Sequence, residues 1–123
     1  LDVCYEKARF SFDSAYRAMK RLIGKYPDLT AVFAMSDVMA IGAIRALRDL
    51  DYRIPEDISV IGFDGTDLAE FYNPKLATIR QQYKTLAVRS VEILFGQIEL
   101  KKEPVYEVVP FEFGSGESIR NLK

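Results

Sequence analysis

Apolar positions along this chain follow two alternating rhythms. Ala15, Ala18, Met19, Leu22, Ile23 and Tyr26 recur at steps of three and four, which draws one stripe down a helix. Asp13 or Ser14 is placed to cap its start, and Pro27 lies just past its end. Ala31 to Met35 is then a short continuous apolar run, the pattern of a buried strand. Ser36-Asp37 opens a second helix whose core face holds Ala40, Ala43, Ile44 and Leu47, with Met39, Ala46 and Leu50 on a second edge. So broad a face predicts burial on more than one side.

Pro55 breaks the chain before Ile58 to Phe63, a second buried-strand candidate. Gly65-Thr66-Asp67 starts a short helical turn through Leu68 and Phe71, stopped near Asn73-Pro74. Leu76 to Ile79 reads as a strand. Ala87, Val91, Leu94, Phe95 and Ile98 mark a third long helix, and Val105 to Val109 a final strand. The polar tail from Gly114 onward is expected to be loose or an edge. Strands alternating with helices predict an α/β fold, a mostly parallel sheet flanked by helices. Ligands of such sheets sit at the carboxyl ends of strands. That rule singles out the segment from Ala8 to Phe12 (taken to follow a first short strand near Leu1 to Tyr5), Ser36-Asp37 and Asp64.

Composition narrows the chemistry. A net charge of −1 and the lack of a basic stripe argue against direct phosphate contacts with nucleic acid. The lone Cys4 cannot form an internal disulfide, which suits a reducing cytoplasm. With no histidine, histidine-based triads are excluded, and with one cysteine zinc sites are disfavoured. No phosphate loop of the Walker type occurs. No catalytic residue, metal or cofactor is therefore expected. No apolar run reaches the length of a membrane span, and no charged n-region precedes an apolar stretch as in a signal peptide. The chain opens on Leu1 rather than Met, as a fragment would.

Three positions remain for ligand chemistry. A carboxylate at Asp64 would face the crevice and accept hydrogen bonds from sugar or ribose hydroxyls; equally, it would cap the following turn. One of Ser36 and Asp37 caps the second helix, with capping the stronger expectation for Asp37, and the other is free to face ligand. Phe10 would stack on a ring at the cleft mouth, or pack beside Phe12 in the core.

Three stretches resemble one family. Phe33-Ala34-Met35-Ser36-Asp37-Val38-Met39-Ala40-Ile41-Gly42-Ala43 is similar to the first hallmark of the lactose-repressor/galactose-repressor (LacI/GalR) regulators. Ile54-Pro55-Glu56-Asp57-Ile58-Ser59-Val60-Ile61-Gly62-Phe63-Asp64 resembles the second almost residue for residue, and Pro74-Lys75-Leu76-Ala77-Thr78-Ile79-Arg80-Gln81 the third. The match spans residues 5 to 109.

The resemblance implies the C-terminal lobe of a type I periplasmic-binding-protein-like fold, truncated. Residues 1–82 and 104–113 would form the second lobe, with a tail at 114–123. The helix at 84–99 would normally belong to a missing first lobe, so its apolar face must find cover elsewhere. The resemblance also implies an effector site of Asp64, Phe10 and Ser36, for a sugar or sugar phosphate. Ile41, Arg45, Leu68, Phe71 and Tyr72 would line a homodimer face. Operator DNA would be read only through an absent helix-turn-helix headpiece, in a cytoplasmic protein with no membrane contact. The alternative is a transporter's periplasmic sugar-binding protein; a phospho-acceptor receiver domain lacks its acidic pair after Tyr5. Two departures stand out. The family's Arg-x-Ser near the end is replaced by Gly116-Glu117-Ser118, and Ala15 replaces a common glycine.

Overall fold

The computed structural model describes residues 4–100 and 103–121. The elements run α1 (Phe12–Lys25), β1 (Ala31–Phe33), α2 (Asp37–Arg48), β2 (Ser59–Asp64), α3 (Asp67–Phe71), β3 (Ala77–Gln81), α4 (Tyr83–Leu100) and β4 (Phe111–Gly114). The sheet order is β1-β2-β3-β4, with β1, β2 and β3 parallel. The α/β expectation and the parallel sheet hold. The chain divides into two units, one built from residues up to Arg80 and again from Phe113, the other from Gln81 to Glu112.

The core of the first unit lies where α1 and α2 meet one face of the sheet. The stripe Ala15, Ala18, Met19, Leu22 and Ile23 is buried on α1, and α2 buries Ala40, Ile41, Ala43, Ile44, Ala46 and Leu47. Val60 and Thr78 point toward this core and are inaccessible, as are Ile58 and Leu76 beside them. The register pairs Phe33 with Ile61 and Phe63 with Ile79, so these side chains share the opposite face. Phe33 and Phe63 meet edge to face there, with centroids 6.4 Å apart.

That arrangement corrects the expectation of a fully buried strand at Ala31 to Met35. The strand is three residues long, and Phe33 and Met35 are exposed. It ends the sheet order, and α1 and α2 pack on the side that carries Val32 and Ala34.

The cap of α1 is neither Asp13 nor Ser14. Ser11 holds the extended cap conformation and accepts from the Ser14 N–H. Ser14 turns back to accept from the Arg9 N–H at 2.8 Å, and Asp13 pairs with Arg17. The short first strand is likewise not found: residues 4–9 carry no strand, and Glu6 is tied to Arg21 and Lys25 of α1. Residues 1–3 of that expected strand lie outside the described residues.

The turn before β2 is closed by Arg53 and Asp57. The carboxylate accepts from the Arg53 backbone N–H at 2.8 Å and from its guanidinium at 2.6 and 2.9 Å. These bonds, the guanidinium first, hold the Asp57 carboxyl down at about 2.

The tail is not loose. Ser118 is fully buried; its hydroxyl accepts from the Ala77 N–H at 2.8 Å and donates to the Val60 carbonyl at 2.6 Å. Its own carbonyl accepts from the Val60 N–H at 2.8 Å, and Glu117 and Ser118 both donate to the Lys75 carbonyl. The tail therefore stitches the starts of β2 and β3 together.

In the second unit, α4 runs as the helical periodicity predicts, but none of its residues is buried. Val88, Val91, Leu94, Phe95 and Ile98 are each about half exposed or more. The cover expected for this face is not supplied by the described residues of its own unit. Nor do residues 105–109 form a strand; the last strand starts at Phe111. Tyr106 and Val108 stand largely in solvent, and the segment is held by Glu107, whose carboxylate takes both 2.7 and 2.8 Å bonds from Arg89.

Candidate functional site

Two of the three candidate ligand residues sit at the carboxyl ends of neighbouring parallel strands. Ser36 follows β1 and Asp64 ends β2. Their loops are joined directly. Asp37 is inaccessible to solvent, and its Oδ2 accepts from the Thr66 N–H at 2.7 Å and the Thr66 hydroxyl at 2.9 Å. Its Oδ1 accepts from the Thr78 hydroxyl at 2.5 Å. Gly62 makes this possible: a Cβ there would stand 2.6 Å from Asp37 Oδ1 and 3.0 Å from Leu76.

The division of labour between Ser36 and Asp37 is the reverse of the expected one. Ser36 is the cap of α2, its hydroxyl oxygen accepting from the Met39 N–H at 3.1 Å, and it is buried. Asp37 is the first helical residue and faces inward. Only an acceptor with two oxygens can serve three donors from two other strand ends, and a serine hydroxyl cannot.

Asp64 is half-buried and has φ 117°, followed by Gly65 at φ 75°. A non-glycine residue in that region is strained by about 1–3 kcal/mol and persists only where its surroundings hold it. Arg80 lies beside Asp64 in the strand register, its stem packed on Gly65 and its guanidinium paired with Glu70. A carboxylate and a guanidinium thus stand at the ends of adjacent strands.

Phe10 is 71% exposed, and Phe12 is also open to solvent. The core alternative for Phe10 is thereby removed. The ring precedes the α1 cap, and the first turn of α1 rests on Gly42 of α2, a turn and more beyond Ser36. Ser36 and Asp64 stand at neighbouring strand ends, whereas Phe10 lies on another segment, ahead of α1.

The residues expected at a dimer face belong to α2, to α3 and to the residue that follows α3. Phe71 is 89% exposed and Leu68 46%. Arg45 is exposed and pairs with Asp49 at 2.9 Å. Tyr72 is held under the Arg48 guanidinium, which also donates to the Asn73 carbonyl at 2.7 Å. Ile41, Arg45 and Tyr72 line an open depression of about 410 Å³ together with Phe12, Asp13 and Tyr16 of α1. Ile41 alone of the five is buried. The α1 side of this depression was not foreseen, because its residues carry no chemical signal of their own. Asp37 was misread for the opposite reason: its pairing with Gly62 spans two elements. A glycine inside a strand does mark a close approach, and that was the available clue.

Among the described residues no group of three acidic, histidine or cysteine side chains is placed to hold a metal. No described helix is long and apolar enough to cross a membrane.

This strand-end geometry is that of a known class. Residues 2–119 match the periplasmic binding protein-like domain family. The chain is 39% identical over 113 residues to the HTH-type transcriptional regulator MalR of Clostridium butyricum, covering 92% of this chain and 34% of that protein. It superposes on the transcriptional regulator CelR–cellobiose complex with a TM-score of 0.85 and 34% identity, over 90% of this chain and 34% of that one. For the lac repressor dimer bound to operator and the anti-inducer ONPF the TM-score is 0.84 at 27% identity, over 91% and 39% of the two chains. The chain belongs to the LacI/GalR family of transcription regulators, within the part that forms their periplasmic-binding-protein-like domain. It spans about a third of the length of these relatives.

Proposed function

We propose that this chain is the effector-sensing and dimerising portion of a cytoplasmic transcription regulator, a repressor controlled by a small sugar-like metabolite. The observation that carries the reading is Asp64: a half-buried carboxylate in a strained conformation at a strand end, one loop away from Ser36. Strain of this kind collects at ligand sites, and the crevice at strand ends is where such sheets bind. Asp64 accepts ligand hydroxyls, Phe10 offers an exposed aromatic face, and Ser36 contributes its hydroxyl proton. The named relatives support the chemistry, since one is a cellobiose complex and another an operator-bound dimer. Operator contact belongs to a headpiece outside these residues, in keeping with the net charge of −1. The regulator names of the relatives favour this reading over a transporter's sugar-binding protein, and over an enzyme.

The test is calorimetric titration of the protein with cellobiose, lactose and ribose, as wild type and as Asp64→Asn. A hydrogen bond to a charged group is worth about 1.5–3 kcal/mol. The substitution is therefore expected to weaken the best binder by about 10- to 100-fold. A sugar that binds both forms equally well removes Asp64 from the site.

A further inference from the structure

We infer that Asp37 is a positioning residue: a buried carboxylate on α2 that holds Asp64 in its strained, ligand-facing conformation by pinning the loop behind it. The inference rests on the reading of Asp64 as the effector carboxylate.

Three observations carry it. Asp64 and Gly65, both at positive φ, are followed directly by Thr66, and Thr66 is bound twice by one oxygen of Asp37. The backbone N–H and the hydroxyl of the same residue are engaged together, which fixes both the position and the rotation of the loop. Second, Thr66 occupies the cap position of α3, yet its side chain makes no cap bond to that helix. A threonine at a cap ordinarily accepts from its own helix; here the hydroxyl makes no such bond and donates to Asp37. Third, Asp37 cannot drift. Its other oxygen is held by Thr78, and it lies against Gly62, where no side chain intrudes. The anchor is therefore joined to α2 and β3, and the only part it holds that carries strain is the Asp64–Gly65 turn. A strained residue stays strained only while its neighbours over-determine it, and Thr66 is the neighbour through which Asp37 acts.

The readout is the backbone of Asp64 and Gly65, followed by NMR through the HN–Hα coupling of Asp64 and the amide and carbon shifts of both residues, with no ligand present. Asp37→Asn is expected to move Asp64 toward the extended couplings of an ordinary strand residue and to shift Gly65. Thr66→Val, which removes the hydroxyl and leaves the core untouched, is expected to move the same signals in the same direction. Thr66→Ser keeps the hydroxyl and is expected to restore them. Thr78→Val removes the more deeply buried bond on the far side of Asp37, and is expected to lower the melting temperature with a smaller change at Asp64. Unchanged Asp64 coupling in folded Asp37→Asn, or in Thr66→Val should the first variant fail to fold, overturns the inference. So does a Thr78→Val shift at Asp64 as large as that of Thr66→Val, which is what a merely structural role would give. Because no ligand enters the measurement, a failure of Asp64 to bind sugar is recognised separately by the titration above.

Discussion

Asp57 and Asp37 show how differently two carboxylates of the hallmark stretches are used. Asp37 is sealed in the core and serves three donors from two other segments. Asp57 lies at the surface, clamped by a single residue, Arg53. The clamp lowers its folded-state pKa from an ordinary 3.8 to about 2. A carboxyl with a depressed folded value stabilises the fold fully above its unfolded value, and that contribution is lost as pH falls through the folded one. The wild-type protein is therefore expected to melt at a higher temperature than Asp57→Asn at neutral pH, with the gap closing between about pH 3.8 and pH 2. Melting curves of the two proteins across that window check it. A gap that persists at pH 2 would mean that the clamp's charge is not what holds this turn. The sequence makes Asp57 visible only as part of a family pattern, since a partner four residues earlier is common in any polar turn.

Among the elements, those whose stripe meets its partner nearby were readable in advance. The faces of α1 and α2 are buried as their spacing demands, because each packs on the other and on the adjacent strand. Elements whose neighbours come from far along the chain were misread. Ala31 to Met35 has the pattern of a central strand and stands at an edge, and no local signal distinguishes the two. Residues 105–109 have the composition of a strand but lack one to pair with. The tail is the reverse case: Gly116-Glu117-Ser118 is polar and unpatterned, yet Ser118 lies in the core between β2 and β3. Its hydroxyl serves one N–H and one carbonyl, and loss of it leaves the Ala77 N–H without the bond it makes there. An unsatisfied buried donor costs about 1–3 kcal/mol. Ser118→Ala should lower unfolding free energy by that amount in urea titration, with the slope unchanged. Ser118→Thr is no rescue, since the added methyl enters a filled site. A loss well under the lower bound would show that the tail detaches at little cost and that β2 and β3 do not depend on it.

At the scale of the molecule, each unit leaves an apolar helical surface open among the described residues. One is the α4 face in the second unit, with Leu94 and Phe95 about half exposed. The other is the projection of Leu68 and Phe71 from α3 beside the depression at Ile41, Arg45 and Tyr72. A twofold dimer places the same patch on both copies, so a single substitution at its centre acts twice. Burying a phenylalanine contributes about 1.5–3 kcal/mol. Two copies of Phe71→Asp should therefore weaken a dimer built on this face by roughly two orders of magnitude or more, and two facing carboxylates add repulsion. The α4 face would blur that result, because a second adhesive surface can hold copies together after the first is lost. Sedimentation equilibrium is best run in a background carrying Leu94→Glu and Phe95→Glu, where only the α3 face remains. The background protein is expected to sediment as a dimer and the same protein with Phe71→Asp as a monomer. Phe71 is 89% exposed in the single chain, so an unchanged circular dichroism spectrum separates a lost interface from a lost fold. Equal masses with and without Phe71→Asp would remove α3 from the dimer face and leave the depression beside Tyr72 without that role.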